Sequence, residues 1–287
     1  GKMGRELCAR IGRAGFRTLA YDISPDASKF AEENYENVTY SELESAVQNS
    51  AIVFSCLPNS NHVREIVDTL IKQKGTLVNV QYRVDTTSGN PGESQRIASD
   101  LKSQDVIFLD CAVSGGPAGA IAGTLTAMVG GDKVAFREVE NIISSLAKNN
   151  IHLGPSGAGH AVKAVNNTFL AANICSVSEG LIVLKKYGIP LDVALKAIST
   201  SSGRSWVTQQ RMPEHVLTRG FDYGFSLGLL SKDVDTCMEM LQETSVAAPS
   251  LKVTREVIQV AKNILGEDSD HLELSLIHIS EPTRRYA

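Results

Sequence analysis

The sequence lacks the features that mark metal sites, disulfide scaffolds and nucleic-acid-binding surfaces. Its five cysteines are widely spaced and no CxxC or cysteine–histidine pair is present, which argues against a metal site. The odd number of cysteines argues against a disulfide framework and favours a reducing compartment. The net charge is -4 and no basic cluster occurs, so we expect no nucleic-acid partner.

A membrane-spanning segment is also missing from the sequence. The least charged stretch, residues 161–184, contains one lysine, three asparagines and one glutamate, which makes it too polar for a bilayer helix. We predict a long buried helix there and no membrane partner. The sequence shows no signal or transit segment and opens without an initiating Met. We therefore expect the cytoplasm or the mitochondrial matrix, with any targeting segment upstream.

The first residues fit the second half of a dinucleotide-binding βαβ unit. Gly1 and Gly4 have the spacing of the second and third glycines of GxGxxG, and Asp22 follows a predicted strand. We expect the first glycine and its strand upstream of Gly1. A turn before a surface helix is the alternative, which the spacing of Asp22 disfavours. The Asp22 carboxylate can accept hydrogen bonds from the adenosine ribose and repels a 2′-phosphate, which favours NAD over NADP.

Strands and helices alternate through the first half of the chain. This pattern predicts an α/β fold, a Rossmann-type doubly wound parallel sheet whose first strand is missing from this chain. Ligands bind at the carboxyl ends of such strands, which puts Leu57, Pro58 and the turn 84–88 beside the cofactor. Helix N-capping by hydroxyls is the alternative for residues 86–88.

One predicted strand has an unusual sequence. Residues 77–84 exceed the usual strand length of about five residues and carry Gln81 and Arg83 toward the core. A bulge, an insertion and a sequence error are all open explanations of the extra residues at 78–83.

The pattern becomes helical after residue 154. We predict a sheet domain over residues 1–154 and an all-α domain over 155–274, built on one helix that spans 158–186. Residues 275–287 match no upstream pattern, and we interpret them as a non-native tail.

Candidate site residues lie in both halves. Lys163 and Asn167 project from one face of the long helix, one turn apart, although a snorkelling lysine is the simpler interpretation of Lys163 alone. The glycine-rich turn Ser114-Gly115-Gly116 can form an anion-binding concavity, with a flexible turn as the alternative. Lys232 alone is best interpreted as a surface lysine beside an aspartate.

Several motifs together resemble the β-hydroxyacid dehydrogenases, and most closely the 3-hydroxyisobutyrate dehydrogenase family. The motifs, spread over residues 1–273, are GKMG with Asp22, CLP, VDTTSGNP, DCAVSGGPAGAIAGTLTAMVGG, GPSGAGHAVKAVNN and SKDV. Each is weak alone, but their order and spacing are specific. The resemblance implies a Rossmann-type domain and a helical domain joined by the long helix.

The resemblance also implies a role for each residue that matches a family motif. Lys163 matches the catalytic lysine. The substrate is expected to contact Ser114, Gly115, Gly116 and Asn167. The dinucleotide is expected beside Gly1, Met3, Gly4, Asp22, Leu57, Pro58, His62, Ser88 and Lys232. Ser88 departs from the usual threonine but keeps a hydroxyl.

The implied reaction is NAD-dependent oxidation of a small 3-hydroxy acid to its semialdehyde, by a homodimer or homotetramer. Lys163 would have to be uncharged at the working pH, which burial and a neighbouring cation such as Lys232 favour. A semialdehyde or glyoxylate reductase of the same family, which tends to use NADP, is one alternative. A non-catalytic paralogue that acts as a scaffold is the other, and the presence of Lys163 with Asn167 argues against it.

Overall fold

Strands and helices alternate along the first part of the chain, as predicted. The computed structural model describes residues 1–277, and residues 278–287 of the predicted tail lie outside the described residues. The strands are β1 (Thr18–Ala20), β2 (Val38–Tyr40), β3 (Ile52–Ser55), β4 (Tyr82–Asp85), β5 (Ile107–Ser114), β6 (Leu125–Gly130) and β7 (Ala147–Gly154). The helices among them are α1 (Lys2–Arg13), α2 (Pro25–Asn34), α3 (Leu43–Gln48), α4 (Ser60–Lys72), α5 (Pro91–Lys102), α6 (Gly116–Ala122) and α7 (Lys133–Leu146).

The strands form two sheets within the described residues. β1 and β2 pair in parallel, and β3 to β7 form a five-stranded sheet in chain order. Helices cover both faces of this larger sheet: α1 and α7 contribute to one apolar cluster, and α4 and α5 contribute to the other. The chain therefore has the predicted Rossmann-like N-terminal domain. The strand expected upstream of Gly1 stays a prediction.

One strand pair departs from the expected parallel sheet. β5 and β6 are antiparallel, with Ser114 opposite Thr126, whereas β3, β4 and β5 are parallel to one another. The segment between β5 and β6 contains only the short helix α6, and a parallel crossover needs about a dozen residues or more. Because this connection is too short, β6 and β7 run against the other three strands.

The extra residues before Val84 form a turn ahead of β4. Residues 74–79 are in this turn, and the strand begins only at Tyr82. Arg83 is 3% exposed, and its Nε has no hydrogen-bond partner among the described residues. Its register neighbours in the sheet are Val53 and Phe108, which belong to the apolar cluster of α4 and α5 or pack against it. Burial lowers the pKa of Arg83, although a nearby carboxylate opposes the effect.

The long helix α8 continues without interruption from Ala158 to Lys186. The chain divides into two compact units inside this helix, the first ending at Lys163 and the second beginning at Ala164, while the predicted domain boundary after residue 154 stays a prediction. By length and composition alone α8 could cross a membrane, with a mean hydropathy of 1.4 over its most apolar window. Core helices meet the same criterion, and α8 contributes Ala171 and Ile174 to the apolar cluster of the second unit.

The second unit is helical, as predicted. Its further elements are α9 (Leu191–Ser199), a π-helix (Val207–Val216), α10 (Leu227–Glu243), α11 (Pro249–Leu265) and a 3₁₀-helix (His271–Leu276). Pro213 lies inside the π-helix and has no amide hydrogen to donate. Ser275, the first residue of the predicted tail, is buried in the 3₁₀-helix.

Replacing Arg83 by leucine is expected to stabilise the protein. The change removes a buried cation from an apolar layer, so we expect the free energy of unfolding to rise by on the order of 2 kcal/mol. Urea denaturation measures this gain as a higher midpoint at an unchanged slope. The control Arg137→Leu, at an exposed position of α7, should change the free energy by less than about 0.5 kcal/mol. An unchanged or lower midpoint for Arg83→Leu would contradict the prediction.

Candidate active site

A hydrogen-bond network joins the carboxyl ends of β3 and β4, where cofactor-binding loops are predicted. The amide and the hydroxyl of Thr86 both donate to the Ser55 carbonyl oxygen, each at 2.7 Å. The Leu57 amide donates to Thr87 Oγ1 at 3.1 Å. The loop that contains Leu57 and the loop that contains Ser88 are therefore attached to each other.

The first turn of α1 lies beside Asp22. The Gly1 nitrogen is 3.1 Å from Asp22 Oδ2. Gly4 packs closely on the end of β3, where an added Cβ would lie 3.3 Å from Cys56 Cβ. A helix N-terminus, close helix–strand packing and a carboxylate after the next strand are the features that bind a pyrophosphate and a ribose. Gly1, Gly4 and Asp22 therefore fit NAD.

The other predicted cofactor residues of the first unit lie in two helices and two loops. Met3, in α1, is partly buried against the apolar cluster below the helix. His62 is exposed in the first turn of α4, where Asn59 Oδ1 accepts from its amide at 3.2 Å and lies 2.8 Å from its Nδ1. Pro58 is exposed and Ser88 is half-buried, in the loops that follow β3 and β4. Their roles stay predictions.

Ser114, Gly115 and Gly116 form a tight turn from β5 into α6. Gly115 and Gly116 have φ angles of 132° and 66°, which residues with a Cβ atom rarely adopt. A Cβ on Gly115 would also lie 2.9 Å from Leu125 Cδ2. The turn leads directly into a helix and is not a long flexible connection, while its role in anion binding stays a prediction.

The amino end of α8 is held by the buried Asp110 of β5. Asp110 is 0% exposed, and its two carboxylate oxygens accept hydrogen bonds from the amides of Gly157 (2.7 Å) and His160 (3.0 Å). A carboxylate at this end is also favoured by the helix dipole. The first turn of the helix that carries Lys163 is therefore fixed to the centre of the sheet.

Asp233 brings Asn167 and Lys232 together in the second unit. Asn167 is 3% exposed, and its Nδ2 donates to Asp233 Oδ2 at 2.5 Å. The Lys232 ammonium lies 2.9 Å from Asp233 Oδ1, and Asn166 donates to Asn167 Oδ1 at 3.1 Å. Lys232 is thus a half-buried member of an ion pair, not the surface lysine that composition alone favours. Lys163, also half-buried, precedes Asn167 by one turn of the same helix.

Asp110, His160 and Asp233 are buried polar residues of these networks that the sequence motifs do not single out. Each is a polar residue in a mostly apolar segment, and such residues usually have a buried hydrogen-bond partner. A polar residue in an apolar segment therefore predicts a buried hydrogen bond, but it does not identify the distant residue that is the partner.

The cysteines of the first unit do not supply a nucleophile. Burial raises the pKa of Cys8 to about 11 and raises the pKa of Cys56 and of Cys111 as well, so these thiols are protonated at neutral pH. All five cysteines of the chain are free. Among residues 1–277, no group of three or more histidine, cysteine or acidic side chains is arranged to hold a metal ion.

Two protein-family profiles together match almost the whole chain. One, described as the NAD binding domain of 6-phosphogluconate dehydrogenase, matches residues 1–154. The other, described as NAD-binding of NADP-dependent 3-hydroxyisobutyrate dehydrogenase, matches residues 157–276.

Several relatives are similar to this chain over most of their length. The 2-(hydroxymethyl)glutarate dehydrogenase of Eubacterium barkeri is 29% identical over 269 residues, which cover 90% of this chain and 86% of the relative. The NAD-dependent L-serine dehydrogenase of Pseudomonas aeruginosa is 29% identical over 260 residues, which cover 87% and 85%. A solved structure of Mycobacterium tuberculosis 3-hydroxyisobutyrate dehydrogenase with L-serine has a TM-score of 0.88 at 24% identity, over 98% of this chain and 97% of that chain. This last likeness shows a shared fold.

Asp110→Asn is expected to destabilise the protein more than the matched change Asp132→Asn. Both aspartates accept two backbone amides at a helix start, but Asp132 uses Oδ1 for both, at 2.8 Å each, so an asparagine oxygen can replace it. Asp110 uses both oxygens, and asparagine would direct an NH₂ group at a backbone amide.

We expect Asp110→Asn to lower the free energy of unfolding by about 2 to 3 kcal/mol and Asp132→Asn to lower it by less than about 1 kcal/mol. Urea denaturation of both variants checks this. Equal losses would contradict the proposed difference between the two carboxylates.

Proposed function

We propose, because the chain belongs to the 3-hydroxyisobutyrate dehydrogenase family, that it oxidises a small 3-hydroxy acid to its semialdehyde with NAD. Membership of the family makes the chain an NAD-binding oxidoreductase; its particular substrate and the role of Lys163 are our proposal. The observation that carries the proposal is the position of Lys163, half-buried in a helix whose first turn is fixed by a buried carboxylate.

The names of the relatives support a chemical class of substrate. 3-Hydroxyisobutyrate, 2-(hydroxymethyl)glutarate and L-serine all have the structure HOCH₂–CH(R)–COO⁻. The primary alcohol and the carboxylate are constant, whereas R is a methyl, a carboxyethyl or an ammonium group. The substrate of this chain is therefore a 2-substituted 3-hydroxypropanoate, and residues outside the shared motifs distinguish the R group.

Oxidation of this alcohol removes a hydride from the carbinol carbon and a proton from the hydroxyl. The bound dinucleotide supplies the hydride acceptor. Lys163 Nζ accepts the hydroxyl proton, so the lysine enters the reaction uncharged and leaves it as an ammonium ion while the C–O bond becomes a carbonyl. In the reverse direction Lys163 returns the proton. Asn167 orients the substrate, and the turn at residues 114–116 holds its carboxylate.

Asp22 is the residue that selects NAD in this proposal. Burial raises the pKa of Asp22, but hydrogen bonds from the Ser24 amide and the Gly1 nitrogen outweigh this effect. The pKa of Asp22 is therefore lowered. The side chain is therefore an anion at neutral pH, and it would repel the 2′-phosphate of NADP. One matching family description names NADP. The proposed preference for NAD therefore rests on Asp22 of this chain and not on the family.

The same proposal includes a homodimer or homotetramer. In the second unit, α8 exposes Phe169 and Val183 at 54% each, and Tyr187, directly after the helix, is 82% exposed. Exposed apolar side chains along one helix favour a protein contact. Relatives named as mitochondrial and relatives from bacteria support the mitochondrial matrix or the cytoplasm as the compartment.

Turnover on a defined panel tests the reaction and the cofactor. We expect oxidation of at least one of 3-hydroxyisobutyrate, 2-(hydroxymethyl)glutarate and L-serine, with kcat/KM at least about tenfold higher for NAD than for NADP, or about 1.4 kcal/mol. Asp22→Ala should reduce this ratio, and Asp26→Ala, at an exposed position of α2, should not. No oxidation of any of the three acids would contradict the substrate class and favour the scaffold alternative. A preference for NADP would contradict the role of Asp22.

Lys163→Ala is expected to lower kcat by about 1,000-fold or more, because general acid–base catalysis contributes about 100- to 10,000-fold. The affinity for NAD, measured by fluorescence titration, should change by less than about threefold, since the change removes the base and not a cofactor contact. Lys185→Ala, at an exposed position of the same helix, is the control. Near-normal turnover of Lys163→Ala would refute the assignment.

A further inference from the structure

We propose that His160 is a positioning residue for this reaction, one that fixes Lys163 relative to the loop of residues 86–90 at the end of β4. The inference rests on the proposed role of Lys163 as acid and base. His160 precedes Lys163 by three residues in α8, so the two side chains project from one face of the helix about one turn apart. His160 is 1% exposed, and the mechanism above gives it no part.

The imidazole of His160 lies against the loop of residues 86–90. A Cβ added to Gly89 would lie 2.6 Å from His160 Nδ1 and 2.7 Å from its Cε1, so the ring occupies the space in which a side chain at Gly89 would stand. Gly89 follows Ser88, a predicted cofactor residue. The first turn of α8 is therefore in direct contact with a loop that the cofactor is expected to touch.

Ser94 of α5 connects the ring to the same loop. Ser94 Oγ is 2.7 Å from His160 Nδ1 and donates to the Asn90 carbonyl oxygen at 3.0 Å. A serine hydroxyl has one hydrogen. The Asn90 carbonyl oxygen can only accept, so both contacts are hydrogen bonds only when the serine hydrogen goes to Asn90 and His160 Nδ1 carries its own hydrogen and donates to Ser94 Oγ. This bond fixes both the tautomer and the orientation of the ring.

The backbone of His160 is held by a separate contact. Its amide donates to Asp110 Oδ2 at 3.0 Å, so β5 holds the main chain while α5 holds the side chain. Rotation of α8 about its own axis would break one of these contacts, and the same rotation would displace the long side chain of Lys163. A displacement of about 1 Å at a reacting group can lower turnover about 100-fold.

The second ring nitrogen shows that packing alone does not explain the histidine. Nε2 is buried and has no hydrogen-bond partner among residues 1–277. A buried polar atom without a partner costs folding free energy, which an apolar side chain of similar size would avoid. The bond from Nδ1 to Ser94 supplies the reason for an imidazole at this position.

Two substitutions of His160 distinguish the role of Nδ1 from that of Nε2. Asparagine puts an amide nitrogen near the position of Nδ1, so His160→Asn keeps a donor for Ser94, whereas His160→Gln puts its amide near Nε2 and loses that bond. We expect kcat to fall about 10- to 100-fold in His160→Gln and in Ser94→Ala, but less than about threefold in His160→Asn, with KM changed less than about threefold throughout. The losses in kcat should not add when His160→Gln and Ser94→Ala are combined, because both changes remove the same hydrogen bond.

A kinetic isotope effect distinguishes positioning from loss of folded protein. The substrate is the most active hydroxy acid of the panel, deuterated at the carbinol carbon. A displaced Lys163 slows the chemical step, so the isotope effect on kcat rises in His160→Gln and Ser94→Ala. Partial unfolding lowers the concentration of active enzyme and leaves the isotope effect unchanged.

Ser178→Ala is the matched control for Ser94→Ala. Ser178 is also buried in a helix, and its hydroxyl donates at 2.6 Å to the carbonyl four residues earlier, as that of Ser94 does. The variant should keep both the turnover and the isotope effect of the original protein.

Three outcomes would overturn the inference. They are normal turnover in both His160→Gln and Ser94→Ala, a fall in turnover without a change in the isotope effect, and an equal loss in His160→Asn. Each can occur while Lys163→Ala is inactive, and the proposed function then stands. Normal turnover of Lys163→Ala would instead refute the proposed function itself.

Discussion

The carboxylate of Asp110 is the contact on which the arrangement of the first unit depends. It is fully buried in β5, and both of its oxygens accept amide hydrogens from the chain that enters α8. A buried carboxylate without hydrogen bonds would be costly, and the first amides of a helix have no partner within the helix. Each side therefore satisfies the other, and the centre of the sheet and the start of the helix depend on one another for stability.

The glycines before Lys163 follow from this contact. A Cβ on Gly159 would lie 2.2 Å from the Met128 carbonyl oxygen, and one on Gly130 would lie 2.6 Å from Asp110 Oδ1. Gly157 has a φ angle of 94°, and a Cβ added to it would lie 2.7 Å from a carbonyl oxygen of α5. The glycine-rich sequence that resembles the family is thus required by close backbone packing. Its link to the proposed catalysis is indirect, through the position that it gives to Lys163.

The parts of the fold that the sequence predicts are those set by local periodicity. The helix α8 begins and ends at the predicted residues 158 and 186. The antiparallel direction of β6 could not be predicted in this way. It depends on the length of the connection from β5, and the short helix in that connection is glycine-rich and shows no periodicity. Within the candidate site, motifs indicate Lys163 and Asn167. Their surroundings are not predictable in this way, because Asp110 and Asp233 lie 47 and 66 residues from the residues with which they form hydrogen bonds.

The network around Asn167 restricts what this residue can contribute. A carboxylate only accepts hydrogen bonds, so Asp233 determines that Nδ2 of Asn167 faces it and that Oδ1 turns toward Asn166. Nδ2 carries a second hydrogen, which makes Asn167 a donor to a further oxygen. The charge of Asp233 is balanced by Lys232, which limits the cost of burying it. In the proposed reaction, Asn167 can therefore orient a hydroxyl or carboxylate oxygen by the direction of a hydrogen bond, whereas attraction of the negative charge of the proposed substrate has to come from other groups.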